Sequence, residues 1–448
     1  MHARLRLDLS WPELGLGAAA LLLPGDVDSR TRRIERLAGE RGTARVALSV
    51  RSGLEAFLTA AGLPPGSEVL VSAWTVPHMT GILRAHGLVP VPFALDPDTL
   101  APAEGELERL ATARTRAVLF AHLFGVRADL RPTLALARAR GWLLLEDAAQ
   151  ALASDDWRGT AGADVTAFSF GLIKTRTAIQ GGLLHVADEN LRQAFDAVQA
   201  RWPRAARLDF ARRLVRAAAL HVLARPGLLA RYARRVQRRG GDLDEVLHAA
   251  SRAFPGDDWL ERLRRRPSLP LLALLERRLR HPERSQHAGR RADGERLLAE
   301  LGPEVPVLGR RAPYRGHWVF AVRAHEPAAL VADLRARGLD ATARSSLEAV
   351  RGADGQAAPG AAALLESLVF VPLVPGLEGE LRAVRAGLVR TWCRPRTIRA
   401  RSGDSVPRIG QGRVGADRQV EAPEQQQQRD PGQREGQRER HQRGDQGP

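Results

Sequence analysis

Between residues 45 and about 190 the chain alternates two kinds of apolar pattern. Short apolar runs at Val46–Val50, Val69–Trp74, Ala117–Phe124, Trp142–Leu145, Val165–Phe170 and Gly182–Val186 read as strands. Between them, Leu54–Ala61, Met79–His86 and Leu130–Arg140 carry apolar residues at helical spacing. Apolar strands separated by amphipathic helices predict an α/β fold with a mostly parallel sheet covered on both faces. Ligands of such sheets bind at the carboxyl ends of the strands.

The pattern then changes twice. Residues 201–266 read as basic helices broken at Pro226 and at Gly240–Gly241, with 17 arginines against seven acids. Beyond them the spacing predicts a smaller α+β unit. Its elements are a helix Leu271–Arg280, a strand His317–Val322, a helix Pro327–Gly338, a strand Leu368–Pro372 and a last helix Glu378–Thr391. The end of the chain is rich in Gln, Arg, Gly and acids, includes Gln425–Gln428, and has too few apolar side chains for a core, so it is expected to be disordered. The expected organisation is an N-terminal segment 1–44, a large domain 45–200, an Arg-rich helical insertion 201–266, a small C-terminal domain 267–392 and a tail 393–448.

Composition narrows the class. With 44% hydrophobic residues in 448, the chain is not wholly disordered. A single cysteine, Cys393, excludes an intrachain disulfide and a multi-thiolate zinc site, and no metal site is expected. No apolar run approaches the roughly 18 residues of a membrane span, and the N-terminus does not read as a signal peptide, so a soluble, cytoplasmic protein is expected. The net charge is 68 − 51 = +17, over half of it from 201–266. There Leu214, Val215, Ala218, Ala219, Val222 and Leu223 recur at helical spacing among Arg212, Arg213, Arg216 and Arg225. The default reading is an apolar face packed on protein; an anionic membrane surface is the alternative, and no nucleic-acid partner is expected.

One count bears directly on chemistry. Lys174 is the only lysine, so 67 of the 68 basic residues are arginine. A GC-rich genome explains why lysine is rare but not why one remains. Arginine stays protonated near neutral pH and cannot serve as an amine nucleophile. Three local patterns at strand ends accompany it. Ser52-Gly53 precedes a helix and offers a hydroxyl and backbone N–H groups to an anion. Glu146-Asp147 ends a buried strand. Phe168-Ser169-Phe170-Gly171-Leu172-Ile173-Lys174 places the lysine in a loop, with Gln180-Gly181-Gly182 just after. A lysine, an acid and an anion cradle in one domain suggest pyridoxal phosphate, which needs an amine, a carboxylate for its ring nitrogen and a phosphate cup.

The stretch from about Ala44 to Glu189 resembles the DegT/DnrJ/StrS family of fold-type-I pyridoxal-phosphate enzymes, mostly sugar aminotransferases. The resemblance lies in Ser52-Gly53, Pro65-Gly66-Ser67-Glu68-Val69, Trp74-Thr75, Asp96-Pro97-Asp98-Thr99-Leu100, His122-Leu123-Phe124-Gly125 with Asp129, Glu146 to Gln150, and Phe168-Ser169-Phe170 with Lys174. It implies that Lys174 carries the cofactor, Asp147 faces its pyridine nitrogen, Trp74 stacks on the ring and Gln150 lies beside it. It further implies phosphate contacts from Ser52, Gly53 and Ser169, and a site-facing His317 of the small domain. Leu54 stands where the family usually has threonine, Gln180 replaces the acid of a Glu-Gly-Gly motif, and the only asparagine, Asn190, lies outside the region from which a partner subunit contributes one. The implied activity is transfer of an amino group from an amino acid, glutamate first, to a keto sugar or sugar-like carbonyl, by a homodimer. The alternatives are another reaction of the same cofactor, such as dehydration, and a non-catalytic member acting as a regulatory or membrane-surface binding protein.

Overall fold

The computed structural model describes residues 2–373 except 5–6, 40–41, 153–156, 252–255 and 257, together with 385, 386 and 388. Of the expected last helix Glu378–Thr391 only residues 385, 386 and 388 are described, each helical, and the tail 393–448 lies outside the described residues.

Seven strands form the central sheet: β1 (Ala44–Ala47), β2 (Glu68–Ser72), β3 (Val89–Phe93), β4 (Thr115–Ala121), β5 (Leu143–Asp147), β6 (Val165–Ser169) and β7 (Gly182–Val186). Their order is β1-β7-β6-β5-β4-β2-β3. The pairs from β3 through β2, β4 and β5 to β6 are parallel, whereas β7 runs antiparallel to both β6 and β1. The parallel strands are buried on both faces. Val69, Val71, Leu119 and Leu145 belong to one core cluster, and Leu70, Val118, Phe120 and Leu144 to another. That two-sided burial is why these strands read as unbroken apolar runs. Strand β3 escapes that reading because Pro90 and Pro92 interrupt it; it lies at the sheet edge, where a missing N–H costs least.

Two helices precede the sheet. Ser10 donates its backbone N–H to the Glu13 carboxylate (2.7 Å) at the start of helix Trp11–Leu22, and Asp26 caps helix Val27–Ala38 by accepting the N–H groups of Asp28 and Ser29. Helix Leu269–Arg280 packs against both. Its Leu271, Leu272, Leu274 and Leu275 join the first core cluster, so this helix is built into the body of the sheet domain. A third cluster lies between helices His287–Leu301 and Pro327–Ala336 and the antiparallel pair Phe320–Arg323 and Leu368–Val371.

The basic segment forms helices Arg207–Leu223, Pro226–Arg238, Leu243–Ser251 and Trp259–Leu263, with breaks at Pro226 and Gly240–Gly241. Phe210, Leu214, Ala217 and Leu220 of the first are buried against the body. Among the described residues no helix is long and apolar enough to cross a membrane.

Candidate active site

The carboxyl ends of β5 and β6 meet the start of helix Val50–Ala61. Ser49, in extended conformation, is the cap. Its hydroxyl accepts the Ser52 N–H (3.1 Å) and its carbonyl the Gly53 N–H (2.9 Å). The helix therefore begins four residues earlier than the apolar spacing suggested, and this corrects the expected phosphate contacts. Ser52 is buried, with its hydroxyl 3.0 Å from that of Ser49. Leu54 is in the core. Gly53 is needed for packing: a Cβ there would overlap the Leu184 side chain on β7. The residues that open the helix are Ser49, Val50 and Arg51. Gly182 backs directly onto this cap, where a Cβ would fall 2.5 Å from the Ser49 carbonyl carbon and 2.7 Å from the Val50 nitrogen. A close approach of two backbones is what glycine permits.

Lys174 follows β6 in a loop held by the bond from its N–H to the Gly171 carbonyl (3.0 Å) and by the Ser169 hydroxyl, which accepts the Gly171 N–H (3.2 Å). Its Nζ lies 4.1 Å from the centre of the Trp318 ring, and the Trp318 indole donates to the Ile173 carbonyl (3.0 Å). The tryptophan thus covers the amine and is tied to the chain beside it. Burial pushes the Lys174 ammonium down to about 8; the Asp147 carboxylate opposes this and the Arg51 guanidinium adds to it. Burial likewise pushes the Asp147 carboxyl up, against the Ala149 N–H it accepts (2.9 Å) and the charges of Lys174, His122 and Arg51. Arg51 is pushed down to about 10 by burial, while Asp147 supports its charge and Arg213 of the basic segment opposes it. Its Nη1 is 3.0 Å from His78 Nδ1, and Trp259 lies against the His78 ring. Lys174, Asp147 and Arg51 are therefore one electrostatic unit built from three strand-to-loop junctions.

The neighbouring acid has a different task. Glu146 is fully buried, accepts the Thr160 N–H (3.0 Å) and the Thr166 hydroxyl (2.6 Å), and faces His122 Nε2 at 3.7 Å. Burial would raise its pKa; His122 and the two threonines overcome that and hold it below the usual range. Of two acids in sequence on a strand, alternate sides of the sheet receive one each.

Gln150 accepts the Phe124 N–H (2.8 Å) and lines a cleft of about 180 Å³ with Trp318, Ile173, Arg290 and Arg344. Two other expectations are corrected. Trp74 is 2% exposed in the second core cluster, with its indole bonded to the Ala361 carbonyl (2.9 Å); no face of the ring is open to a ligand. His317 is neither at the surface nor in the cleft. It is buried against Gly294 and Phe320, with Nε2 2.8 Å from the Glu295 carboxylate. The site-facing residue of that Gly-His-Trp stretch is the next one, Trp318, which the sequence reading passed over although it stood beside a named residue.

Residues 28–201 match the DegT/DnrJ/EryC1/StrS aminotransferase family. That span, about two-fifths of the chain, is similar to this family. A GDP-perosamine synthase of Caulobacter vibrioides is 34% identical over 143 residues, 31% of this chain and 38% of that protein, so the match spans under two-fifths of the relative's length. The aminotransferase TlmJ of Streptoalloteichus hindustanus superposes with a TM-score of 0.63 at 22% identity, covering 87% of this chain and 99% of the other. The GDP-4-keto-6-deoxy-D-mannose-3-dehydratase of E. coli, solved with bound hydrated PLP, gives 0.61 at 16% identity, covering 87% and 99%. At such identities the two structures establish a shared fold, that of the fold-type-I pyridoxal-phosphate enzymes, and leave the reaction open. The residues present fit this family's cofactor: an amine of lowered proton affinity, a carboxylate beside it, and a basic helix start backed by the Gly182 cradle.

Proposed function

We propose that the chain is a pyridoxal-phosphate-dependent aminotransferase, working as a homodimer, that moves an amino group from an amino acid such as glutamate to the carbonyl of a keto sugar or sugar-like substrate. The observation that carries this reading is the only lysine of the chain, desolvated under Trp318 and electrostatically coupled to Asp147. When bound, the cofactor supplies the electron sink and the carrier for the amino group. Lys174 provides the amine that holds it. An amine titrating near 8 also gives and takes a proton at Nζ close to neutral pH. Asp147 would offer its carboxylate to the ring nitrogen. Arg51 and the opening N–H groups of helix Val50–Ala61 would hold the phosphate, with Ser169 beside the lysine loop. Trp318 keeps water from the amine, and Gln150 lines the cleft that admits substrate.

The retained lysine favours transfer over those dehydrations in which the lysine is replaced. Purified protein is expected to be yellow, to lose its visible absorption band on Lys174→Arg, and to release 2-oxoglutarate from glutamate in the presence of an accepting keto sugar. A protein that stays colourless with added cofactor, or a band unchanged by Lys174→Arg after dialysis, refutes the reading.

A further inference from the structure

Helices Trp11–Leu22 and Arg207–Leu223 carry an apolar surface that nothing among the described residues covers. Helix Trp11–Leu22 buries Leu14, Gly17 and Ala20 and exposes Trp11, Gly15, Ala18, Ala19 and Leu22; its single charged residue, Glu13, is on the buried side. Helix Arg207–Leu223 packs against it: Gly17 meets Leu214 and Phe210, Trp11 meets the His221 ring at 5.0 Å, and Arg207 donates to the carbonyls of Leu21 and Leu23. These contacts pair the start of one helix with the end of the other, so the two run antiparallel. The exposed side of the second helix reads Leu208, Arg212, Val215, Ala219 and Val222, alternating steps of four and three that keep one line along a helix. Leu22 is 87% exposed, Val215 70%, Leu208 59% and Trp11 47%. Two apolar stripes thus lie side by side on the surface, about three and about four turns long.

The next helix, Pro226–Arg238, buries Leu229 and exposes Arg231, Arg234, Arg235 and Arg238, with Arg239 directly after it. None of these five arginines has an ion-pair partner among the described residues. Across residues 201–239 there are twelve arginines against one acid, Asp209. The face therefore pairs an uncovered apolar surface with an uncompensated basic ridge.

We infer that this face, helices Trp11–Leu22, Arg207–Leu223 and Pro226–Arg238, docks on the surface of an anionic lipid bilayer. Charge decides between occupants. A second copy of the chain meeting this face would bring the same five ridge arginines, Arg231, Arg234, Arg235, Arg238 and Arg239, against themselves, since a two-fold contact sets a patch on its own copy. A polyanion such as nucleic acid would use the ridge but leave the apolar stripes in water. A bilayer rich in anionic headgroups answers both: helices lying in the interface bury Trp11, Leu22, Leu208, Val215 and Val222 among the acyl chains while the arginines meet phosphate. Arg213, on the inner side of helix Arg207–Leu223, acts on Arg51 of the lysine site, but none of the exposed side chains named above does, so the inference stands independently of the reaction.

The test is flotation of the full chain with vesicles of phosphatidylcholine containing a third phosphatidylglycerol, and with pure phosphatidylcholine, at low and high salt. Binding to the anionic vesicles is expected, at least ~100-fold stronger than to neutral ones, as several arginines near an anionic surface provide. Arg231→Gln, Arg234→Gln, Arg235→Gln and Arg238→Gln combined should remove that preference. Val215→Asp should weaken binding at least ~10-fold at unchanged net charge on the ridge. Both variants alter exposed positions, and an unchanged melting temperature verifies their folding. Equal binding to both vesicle types, or no flotation at low salt, overturns the inference. So does a Val215→Asp variant that floats normally but sediments as a smaller oligomer, which would make the stripe a contact between copies.

Discussion

Because Lys174 is the only lysine, its titration can be read without assignment. Reductive methylation with ¹³C-formaldehyde labels one side chain and the N-terminal amine, so the side-chain resonance of apoprotein reports a single pKa. The expected midpoint is about 8 against 10.5 for a solvated lysine. At pH 7 about a tenth of the amine is then neutral, where a solvated lysine would have about 0.03%, roughly a 300-fold difference in nucleophile. The structure also says which way each neighbour moves it. Arg51→Gln removes a cation that disfavours the ammonium and should raise the midpoint, and Asp147→Asn removes its anionic support and should lower it, each by roughly one unit. A midpoint near 10.5, or one that does not move in opposite directions in these variants, would refute the electrostatic unit and with it the argument for Lys174 as the reactive amine.

Three further outcomes follow. A lysine held below its unfolded pKa costs stability wherever it is charged in both states, so the cost is present below about pH 8 and fades as the pH rises towards 10.5. Lys174→Met should accordingly stabilise the apoprotein at pH 7 by roughly 1–2 kcal/mol, less than the full shift because the buried Asp147 loses its counter-charge, and calorimetry should show the gain vanish by pH 10.5. Trp318→Ala should shift the Lys174 titration and weaken cofactor retention on dialysis, whereas Trp74→Phe should lower the melting temperature, by roughly 1 kcal/mol for the lost Ala361 bond, and leave the absorption spectrum alone; the reverse result would return Trp74 to the cofactor ring. Gly53→Ala gains helix propensity but drives a methyl into Leu184, with a net loss of about 1–3 kcal/mol expected in denaturant titration; a stabilised variant would show that the helix can move off β7.

The sequence by itself determined the α/β class, the positions of six of the seven sheet strands and the uniqueness of Lys174. These are properties of local pattern and of count: a strand buried on both sides is apolar along its whole length, and an amine among arginines is visible without coordinates. Strand β3 was hidden because its prolines contradict the pattern that tertiary context, an edge position, makes tolerable. What only the tertiary structure decided is which side chains meet. Ser52, Gly53 and Leu54 stood at the right place in the chain, yet the cap falls at Ser49 and turns them into the helix and the core, leaving Arg51 at the junction. Trp74 and Trp318 are both aromatic residues near a strand end; burial on the far face of the sheet removes one, and a chain folding back from some 140 residues away lays the other over Lys174. The lowered proton affinity of that lysine has the same origin. It depends on desolvation and on the charges of Asp147 and Arg51, which act through space and have no signature in the order of residues.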